Sequence, residues 1–186
     1  MRQAVRTYRE TWNHYDKLRE QALMLAYEQL PSVLRNKYGE THLKSSISLN
    51  GLDFQTFQRL KNWKYMAERV ADWDWDEVRK KYKTHPKRFE LSIWHKELFL
   101  TGASIGAPTW GGNKLRVDFI EAYPKKSPLD GLITDIVITA GQAYAKLIGA
   151  AQLRIMHPVN DKVKSYYLSK GGFSYNKTGN YCYLDL

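Results

Sequence analysis

Apolar side chains recur at helical spacing over the first part of the chain. Between residues 6 and 34 they return every three or four positions, and Arg, Lys and Glu fill much of the remaining surface, which is the pattern of an amphipathic helix. Pro31 is predicted to break or restart this helix. The stretch 39–51 is polar and rich in turn-forming residues, so we predict a loop there.

Two further helices are predicted before the pattern changes. Asp53 is a candidate N-terminal cap for the first, and the Asp-Trp alternation of residues 72–76 begins the second. His85-Pro86 ends this helical half. We interpret the tryptophans as core residues rather than as a platform on which nucleic-acid bases stack.

The hydrophobic period changes from helix to strand at Arg88. Apolar and polar side chains alternate over residues 89–94 and again over 115–120, as they do in half-buried strands. Residues 98–107 form a predicted strand between them, and its small side chains permit close backbone approach. Strands joined by short turns predict an antiparallel meander.

A long apolar helix is predicted next. Ser127 is its predicted N-cap, Pro128 suits the first helical position, and Asp130 has the spacing of a capping box. Apolar residues from 133 to 147 then mark one face of the helix. Gly149 is a natural C-terminal stop.

The chain ends in a second strand and a short helix. Residues 152–157 are predicted to form a strand that stops at Pro158, Asn160 opens a helix, and a glycine pair at 171–172 ends it. An amphipathic helix between two such strands is typical of a βαβ crossover. The pattern predicts one α/β domain over 1–186, with a mixed, largely antiparallel sheet flanked by helices at 88–186 and a helical elaboration at 1–87.

Composition favours a globular protein. The 186 residues are 43% hydrophobic and 13% aromatic, which suffices for a sizeable core. The single cysteine, Cys182, cannot form an internal disulfide, and this fits a reducing compartment. No apolar run is long enough to cross a bilayer and the N-terminus has no signal-peptide core, so we expect a cytoplasmic protein with no membrane partner.

The charge balance is strongly positive. Lys and Arg number 29 against 19 Asp and Glu, a formal net charge of +10. Because excess positive charge concentrates polyanions, nucleic acid, a phosphorylated cofactor and an acidic protein are candidate partners. A solvated basic surface with no dedicated partner is the alternative.

Lys125 and Lys126 stand directly before the predicted start of the long helix. A helix N-terminus preceded by two lysines attracts a pyrophosphate through backbone N–H groups, the helix dipole and net charge. The carboxylate of Asp130 competes for the same donors, so an ordinary capped helix with solvated lysines is the alternative.

In the order of these elements the chain resembles the GCN5-related N-acetyltransferase family. The resemblance covers the meander from Phe89, the strand 114–123, the helix 128–149, the strand 152–157, and a terminal pattern of Asn160, Tyr166-Tyr167 and Gly172-Phe173. It implies that acetyl-CoA lies where the family's fourth and fifth strands diverge, with its pyrophosphate at the loop that opens the following helix. The cofactor-binding residues that it implies are Tyr123, Lys125, Lys126, Ser127, Gly131, Asn160 and Tyr166.

The implied pyrophosphate loop differs from the family pattern Q/R-x-x-G-x-G/A. Here it reads KKSPLDG, with a single glycine, and Pro128 has no N–H to donate. This difference leaves open a second function class, a catalytically degenerate relative that binds nucleic acid or a protein.

The family's chemistry needs a base for the amine and often an acid for the departing thiolate. Glu121 and Asp118 are the candidate bases, and Glu121 is preferred because it lies near the C-terminal end of its strand. Tyr167 is the candidate acid when positions are counted forward from Asn160, whereas counting back from the glycine pair gives Leu168. The alternatives are that Glu121 and Asp118 are ordinary charged residues on the surface of the strand and that Tyr167 is a packing residue.

The leading hypothesis is therefore transfer of an acetyl group from acetyl-CoA to an unidentified amine. Direct attack by the amine is expected, because Cys182 has no obvious activating base that would make it a covalent nucleophile. No metal is expected. The sequence leaves open whether the protein forms a homodimer.

Overall fold

A seven-stranded sheet forms the centre of the structure, a computed structural model that describes residues 6–186. The strands within this range are β1 (Val33–Arg35), β2 (Thr41–Leu43), β3 (Ile47–Asn50), β4 (Phe89–His95), β5 (Phe99–Pro108), β6 (Lys114–Ala122), β7 (Gln152–Met156), β8 (Ser174–Asn176) and β9 (Tyr181–Asp185). The spatial order of the sheet is β3-β4-β5-β6-β7-β9-β8, and β1 and β2 form a separate hairpin. Neighbouring strands are antiparallel except β6 and β7, which are parallel.

Helices cover both faces of this sheet. They are α1 (Tyr8–Gln29), α2 (Phe54–Trp63), α3 (Trp75–Tyr82), α4 (Ile133–Leu147) and α5 (Asp161–Leu168). One buried cluster joins α1 and α4 to the sheet, and a second joins α2 and α3 to its other face. Between residues 6 and 186, no helix has the length and apolar character needed to cross a membrane.

Several predicted elements are confirmed. The structure has the predicted mixed α/β fold, and the predicted meander is present as β4, β5 and β6. Asp53 caps α2 by accepting a hydrogen bond from the backbone of Thr56, and Asn160 caps α5 in the same way through Val163. These caps lie within three residues of their donors, so local sequence is enough to specify them.

The loop predicted over 39–51 was wrong. The structure has β2, a short 3-10 turn (Lys44–Ser46) and β3 in this stretch. Strand β3 pairs with β4, from Ile47 opposite His95 to Asn50 opposite Ser92. The side chains of β3 alternate between apolar and polar, but four positions are too few for a local pattern to decide, and the partner strand lies more than forty positions away.

The parallel pair β6–β7 separates halfway along β6. The two strands pair only from Lys114 opposite Gln152 to Val117 opposite Ile155, whereas β5 stays paired with β6 as far as Ala122. A β-bulge lies at the same place, since Gly106 pairs with Val117 and the preceding residue of β5 pairs with Phe119. Bulges bend a strand and redirect its side chains, so the carboxyl-terminal half of β6 turns away from β7.

The buried face of α4 supplies a stability prediction. Ile136 and Ala140 are almost completely buried against the sheet, whereas Lys146 is exposed, as the apolar pattern predicts. Ile136→Asp is expected to lower the free energy of unfolding by about 3 kcal/mol or more, because it places an unpaired charge in the core. Chemical denaturation measures this, with Lys146→Asp as the exposed control. An Ile136→Asp protein as stable as wild type would contradict this packing of α4.

Candidate active site

A cavity of about 640 Å³ opens where β6 and β7 separate. Its walls come from β6, from the loops that follow β6 and β7, from α5, from the β1–β2 hairpin and from the segment between α2 and α3. The sequence-predicted residues that line it are Asp118, Glu121, Tyr123, Lys125, Lys126, Gly131 and Tyr167. The fold thus brings both candidate bases and the candidate acid to one cavity.

Glu121 lies in the wall of the cavity with its carboxylate held by two partners. Arg69 donates from Nε to Oε1 at 2.6 Å and from Nη2 to Oε2 at 2.9 Å, and Trp75 Nε1 donates to Oε2 at 2.6 Å. The side chains of Arg69 and Glu121 are 6% and 5% exposed. A carboxylate has about four acceptor positions, so one remains for a bound group. The hydrogen bond to Glu121 also raises the pKa of Arg69.

Arg69 also fixes the chain segment that closes this side of the cavity. Its Nη2 donates to the carbonyl oxygen of Trp73 at 2.8 Å. Trp73 packs edge-on against Phe119 of β6, with ring centroids 5.1 Å apart. The segment between α2 and α3 is therefore docked on β6 through one buried ion pair and one aromatic contact. Arg69 is not among the residues predicted from the sequence. The neighbouring Asp-Trp alternation is the local sign that this region packs on the sheet.

Asp118 is paired as well. Its carboxylate accepts hydrogen bonds from the hydroxyl of Tyr82 in α3 and from Arg116 Nη2, the latter at 3.2 Å. Burial, followed by the negative charge of Asp118, raises the pKa of the Tyr82 hydroxyl, which therefore stays protonated at neutral pH. The two candidate bases thus share one arrangement, each with an arginine and an aromatic donor.

Tyr167 lies in the wall formed by α5. The residue is 8% exposed and lines the cavity, whereas Leu168 packs against the adjoining hydrophobic cluster. Burial, together with the nearby Cys182, raises the pKa of the Tyr167 hydroxyl above its ordinary value. A phenol that keeps its proton at neutral pH is able to donate it to a developing anion. Of the two counts made along the sequence, the forward count from Asn160 gives the residue that reaches the cavity.

The predicted start of the long helix was wrong by five residues. Helix α4 begins at Ile133, after a turn in which Ser127 Oγ donates to Asp130 Oδ1 at 2.9 Å. Leu132 occupies the N-cap position and makes no side-chain cap hydrogen bond. Asp130 accepts a hydrogen bond from Ser127, and the carboxylate expected to compete for the helix N-terminus makes no cap bond there. The first backbone N–H groups of α4 therefore keep the anion-binding character of an uncapped terminus.

The β1–β2 hairpin supports this turn. Lys37 donates its backbone N–H to the carbonyl oxygen of Asp130 at 2.9 Å, and Asn36 Nδ2 donates to the carbonyl oxygen of Pro128 at 3.2 Å. Gly131, at φ +84°, lies against Lys37, whose Cβ would be 3.1 Å from an added Cβ. The loop is thus shaped by a contact with a hairpin about ninety positions earlier in the chain.

Each lysine beside the loop has an acidic neighbour. Lys126 Nζ lies 2.7 Å from Glu40, Lys37 Nζ lies 3.5 Å from Asp130, and Lys125 Nζ lies 4.0 Å from Glu68. All three lysine side chains are more than half exposed, where ion pairs are weak and exchange readily. A more highly charged anion could therefore replace these carboxylates.

The other predicted cofactor residues lie around the cavity in different roles. Tyr123 packs edge-on against Trp63 at 5.6 Å. Tyr166 donates its hydroxyl to the carbonyl oxygen of Gly131 at 3.1 Å and so ties α5 to the loop. Asn160 caps α5, and neither it nor Tyr166 lines the cavity. No group of three or more His, Cys, Asp or Glu side chains within 6–186 is arranged to hold a metal ion.

No protein-family model and no curated protein matches the sequence. Solved structures do match the fold. A mutant of spermidine N-acetyltransferase SpeG from Vibrio cholerae is similar with a TM-score of 0.57 at 12% identity, over 76% of this chain and 94% of that one. The PaiA N-acetyltransferase of Thermoplasma acidophilum in complex with coenzyme A has a TM-score of 0.53 at 15% identity, over 76% and 99%.

A third similar structure is Arabidopsis thaliana Naa50 in complex with a bisubstrate analogue that contains CoA. Its TM-score is 0.51 at 13% identity, over 74% of this chain and 95% of that one. At sequence identities this low, the similarity indicates a shared fold and does not identify the substrate. The similarity to these three structures shows that the chain shares the GCN5-related N-acetyltransferase (GNAT) fold of these N-acetyltransferases, a mixed and mostly antiparallel sheet with helices.

Proposed function

We propose that the protein transfers an acetyl group from acetyl-CoA to an amine by direct attack of the amine on the thioester. The observation that carries this proposal is the cavity at the place where β6 and β7 separate, which both Glu121 and Tyr167 line. Its volume, about 640 Å³, lies within the range of small-molecule sites, roughly 300–1,000 Å³. Two of the similar structures contain CoA or a CoA-bearing analogue, which supports acetyl-CoA as the donor.

The residues divide the proton chemistry between them. The amine nitrogen attacks the carbonyl carbon and the carbon–sulfur bond breaks. The sulfur then takes the proton of the Tyr167 hydroxyl, which burial keeps protonated. Glu121 accepts a hydrogen bond from the amine at its one remaining acceptor position and receives the proton, with Asp118 as the second candidate. No covalent enzyme intermediate is needed, since Cys182 is fully buried and burial raises the pKa of its thiol.

The pyrophosphate would lie at the loop between β6 and α4. Lys125 and Lys126 supply positive charge, and the first N–H groups of α4 are not taken by a side-chain cap. Ser127 shapes the turn, and Tyr166 holds the carbonyl of Gly131. Asn160 acts through its cap of α5, which positions Tyr167. These features fit a diphosphate group even though the loop has a single glycine.

The direct test is calorimetry with acetyl-CoA and with CoA. Wild-type protein is expected to bind both. The double variant Lys125→Glu/Lys126→Glu is expected to bind at least about tenfold more weakly, because two attractive charges become repulsive at an anion site. Lys146→Glu/Lys162→Glu, with the same change in net charge at residues outside the cavity lining, is the matched control. It separates a local effect from the loss of overall positive charge.

A second candidate function is a binding module for a polyanion or a protein. The observation that favours it is the formal net charge of +10, which attracts polyanions. If wild-type protein shows no binding of acetyl-CoA at millimolar concentration, the enzyme proposal fails and this candidate remains. Binding to tRNA or duplex DNA that falls steeply with salt would then identify a nucleic-acid partner.

A further inference from the structure

Each acidic side chain of the cavity lies near a cation of the same chain. Four carboxylates line the cavity among the described residues: Glu68, Asp118, Glu121 and Asp130. Each has a lysine or arginine nitrogen within 4.0 Å; the distances are 4.0 Å to Lys125, 3.2 Å to Arg116, 2.6 Å to Arg69 and 3.5 Å to Lys37. The lysine partners of Glu68 and Asp130 are more than half exposed, whereas the arginine-paired side chains of Asp118 and Glu121 are only 10% and 5% exposed. Beside the proposed chemistry, the cavity thus offers an incoming cation no buried carboxylate whose charge is uncompensated.

A polycation would have to separate these pairs to bind. The pair nearest the proposed chemistry, Arg69 with Glu121, is almost completely buried and bidentate, and such a pair is costly to break. The formal net charge of +10 adds long-range repulsion between the protein and any multiply charged amine. Charge complementarity, which normally selects a polycationic ligand, is therefore missing.

The wall beside Glu121 is instead apolar and aromatic. Val70, Ala71 and Trp73 line it from the segment between α2 and α3. Ile120 and Tyr123 line it from β6 and the residue that follows. Val70 is 72% exposed, so an apolar side chain faces solvent at the edge of the cavity. Surfaces of this composition bind apolar and aromatic groups, with a few polar atoms fixing the orientation.

We infer that the acceptor is a monoamine carried on an aromatic or apolar body, and that polyamines are excluded. The inference rests on the proposed acetyl transfer and specifies its substrate class. The amine would lie at the free acceptor position of Glu121, and the body of the molecule against Val70 and Trp73. Arg69 is the specificity-determining residue, because it cancels the charge that would otherwise hold a second ammonium group.

The test compares two probes on protein saturated with CoA. Phenethylamine is the aromatic monoamine, and spermidine is the multiply charged amine. Calorimetry is expected to show at least about tenfold tighter binding of phenethylamine, and the ratio of kcat/KM with acetyl-CoA is expected to follow it. Spermidine binding as tightly as phenethylamine, or no binding of phenethylamine at millimolar concentration, would overturn the inference.

A variant at Arg69 tests the assigned cause. Arg69→Gln releases the charge of Glu121, and spermidine affinity is expected to rise several-fold relative to phenethylamine. Lys64→Gln is the control, since it releases Asp74, whose carboxylate is 3.0 Å from Lys64 and does not line the cavity. Equal shifts in both variants would overturn the role of Arg69. If Arg69→Gln does not fold, the wild-type ratio alone decides.

The two proposals fail in different ways. Acetyl transfer that prefers spermidine leaves the acetyltransferase standing and overturns only the acceptor class. Absence of acetyl-CoA binding overturns the proposed function, and the acceptor class with it.

Discussion

Replacing Arg69 by methionine is expected to lower the free energy of unfolding by about 3–5 kcal/mol. The substitution leaves Glu121 with a buried carboxylate that has lost its cation and two of its three hydrogen bonds. Removing one member of a buried pair costs more than the pair contributes, because the remaining charge stays out of water. Urea denaturation of wild type and variant measures the difference.

The matched control removes an exposed pair from the same segment. Lys64→Met breaks the contact with Asp74, whose side chain is 44% exposed, so a much smaller change is expected. The double variant Arg69→Met/Glu121→Gln is expected to recover part of the loss, because the unpaired charge is gone. An Arg69→Met protein with wild-type stability would show that Glu121 is solvated or finds another partner.

Much of the core fold follows from local periodicity. The alternation over 89–94 and 115–120 predicted strands that the structure confirms as parts of β4 and β6. Phe89, Leu91 and Ile93 of β4 and Leu115 and Val117 of β6 are buried, so the alternation of side chains and the fold agree there. The long helix is likewise confirmed over its apolar part, Ile133–Leu147.

Local sequence signals mispredict the structure where a contact with a distant part of the chain determines the conformation. Ser127, Pro128 and Asp130 have the spacing of a helix start, yet they form a separate turn before α4. The hairpin residues Asn36 and Lys37 take the backbone carbonyls of that turn. Nothing between 127 and 133 encodes this contact, because its partner residues lie about ninety positions away.

The candidate site also depends partly on local sequence patterns and partly on distant contacts. The positions of Glu121 and Tyr167 on their elements follow from the strand and helix patterns, and both reach the cavity. Their environment depends on partners that lie 52 and 46 residues from Glu121, namely Arg69 and Trp75. Pairing of that kind leaves no trace in local spacing. The strand pattern therefore predicts the positions of Glu121 and Asp118, whereas the ion pair of Glu121 with Arg69 emerged only from the fold.

The second large effect is expected on catalysis. Tyr167→Phe removes the only proton that this residue can give to the leaving sulfur and keeps the ring that packs in α5. Turnover of acetyl-CoA with an accepting amine should fall about 10²–10⁴-fold, the usual contribution of a positioned acid or base. Glu121→Gln should lower turnover as well, with Arg69 and Trp75 still able to bond the amide oxygen. Acetyl-CoA affinity is expected to stay close to wild type in both.

The neighbouring tyrosine supplies the control for this experiment. Tyr166→Phe removes a hydroxyl that bonds the carbonyl of Gly131 at 3.1 Å, so it should affect acetyl-CoA affinity more than turnover. Removing a residue that donates a proton in the transition state lowers kcat. Removing a residue that only shapes the acetyl-CoA site raises the KM for acetyl-CoA. Equal turnover in Tyr167→Phe and wild type would leave an acetyltransferase standing. The proton for the thiolate would then come from water in the cavity, and Tyr167 would be a packing residue of α5.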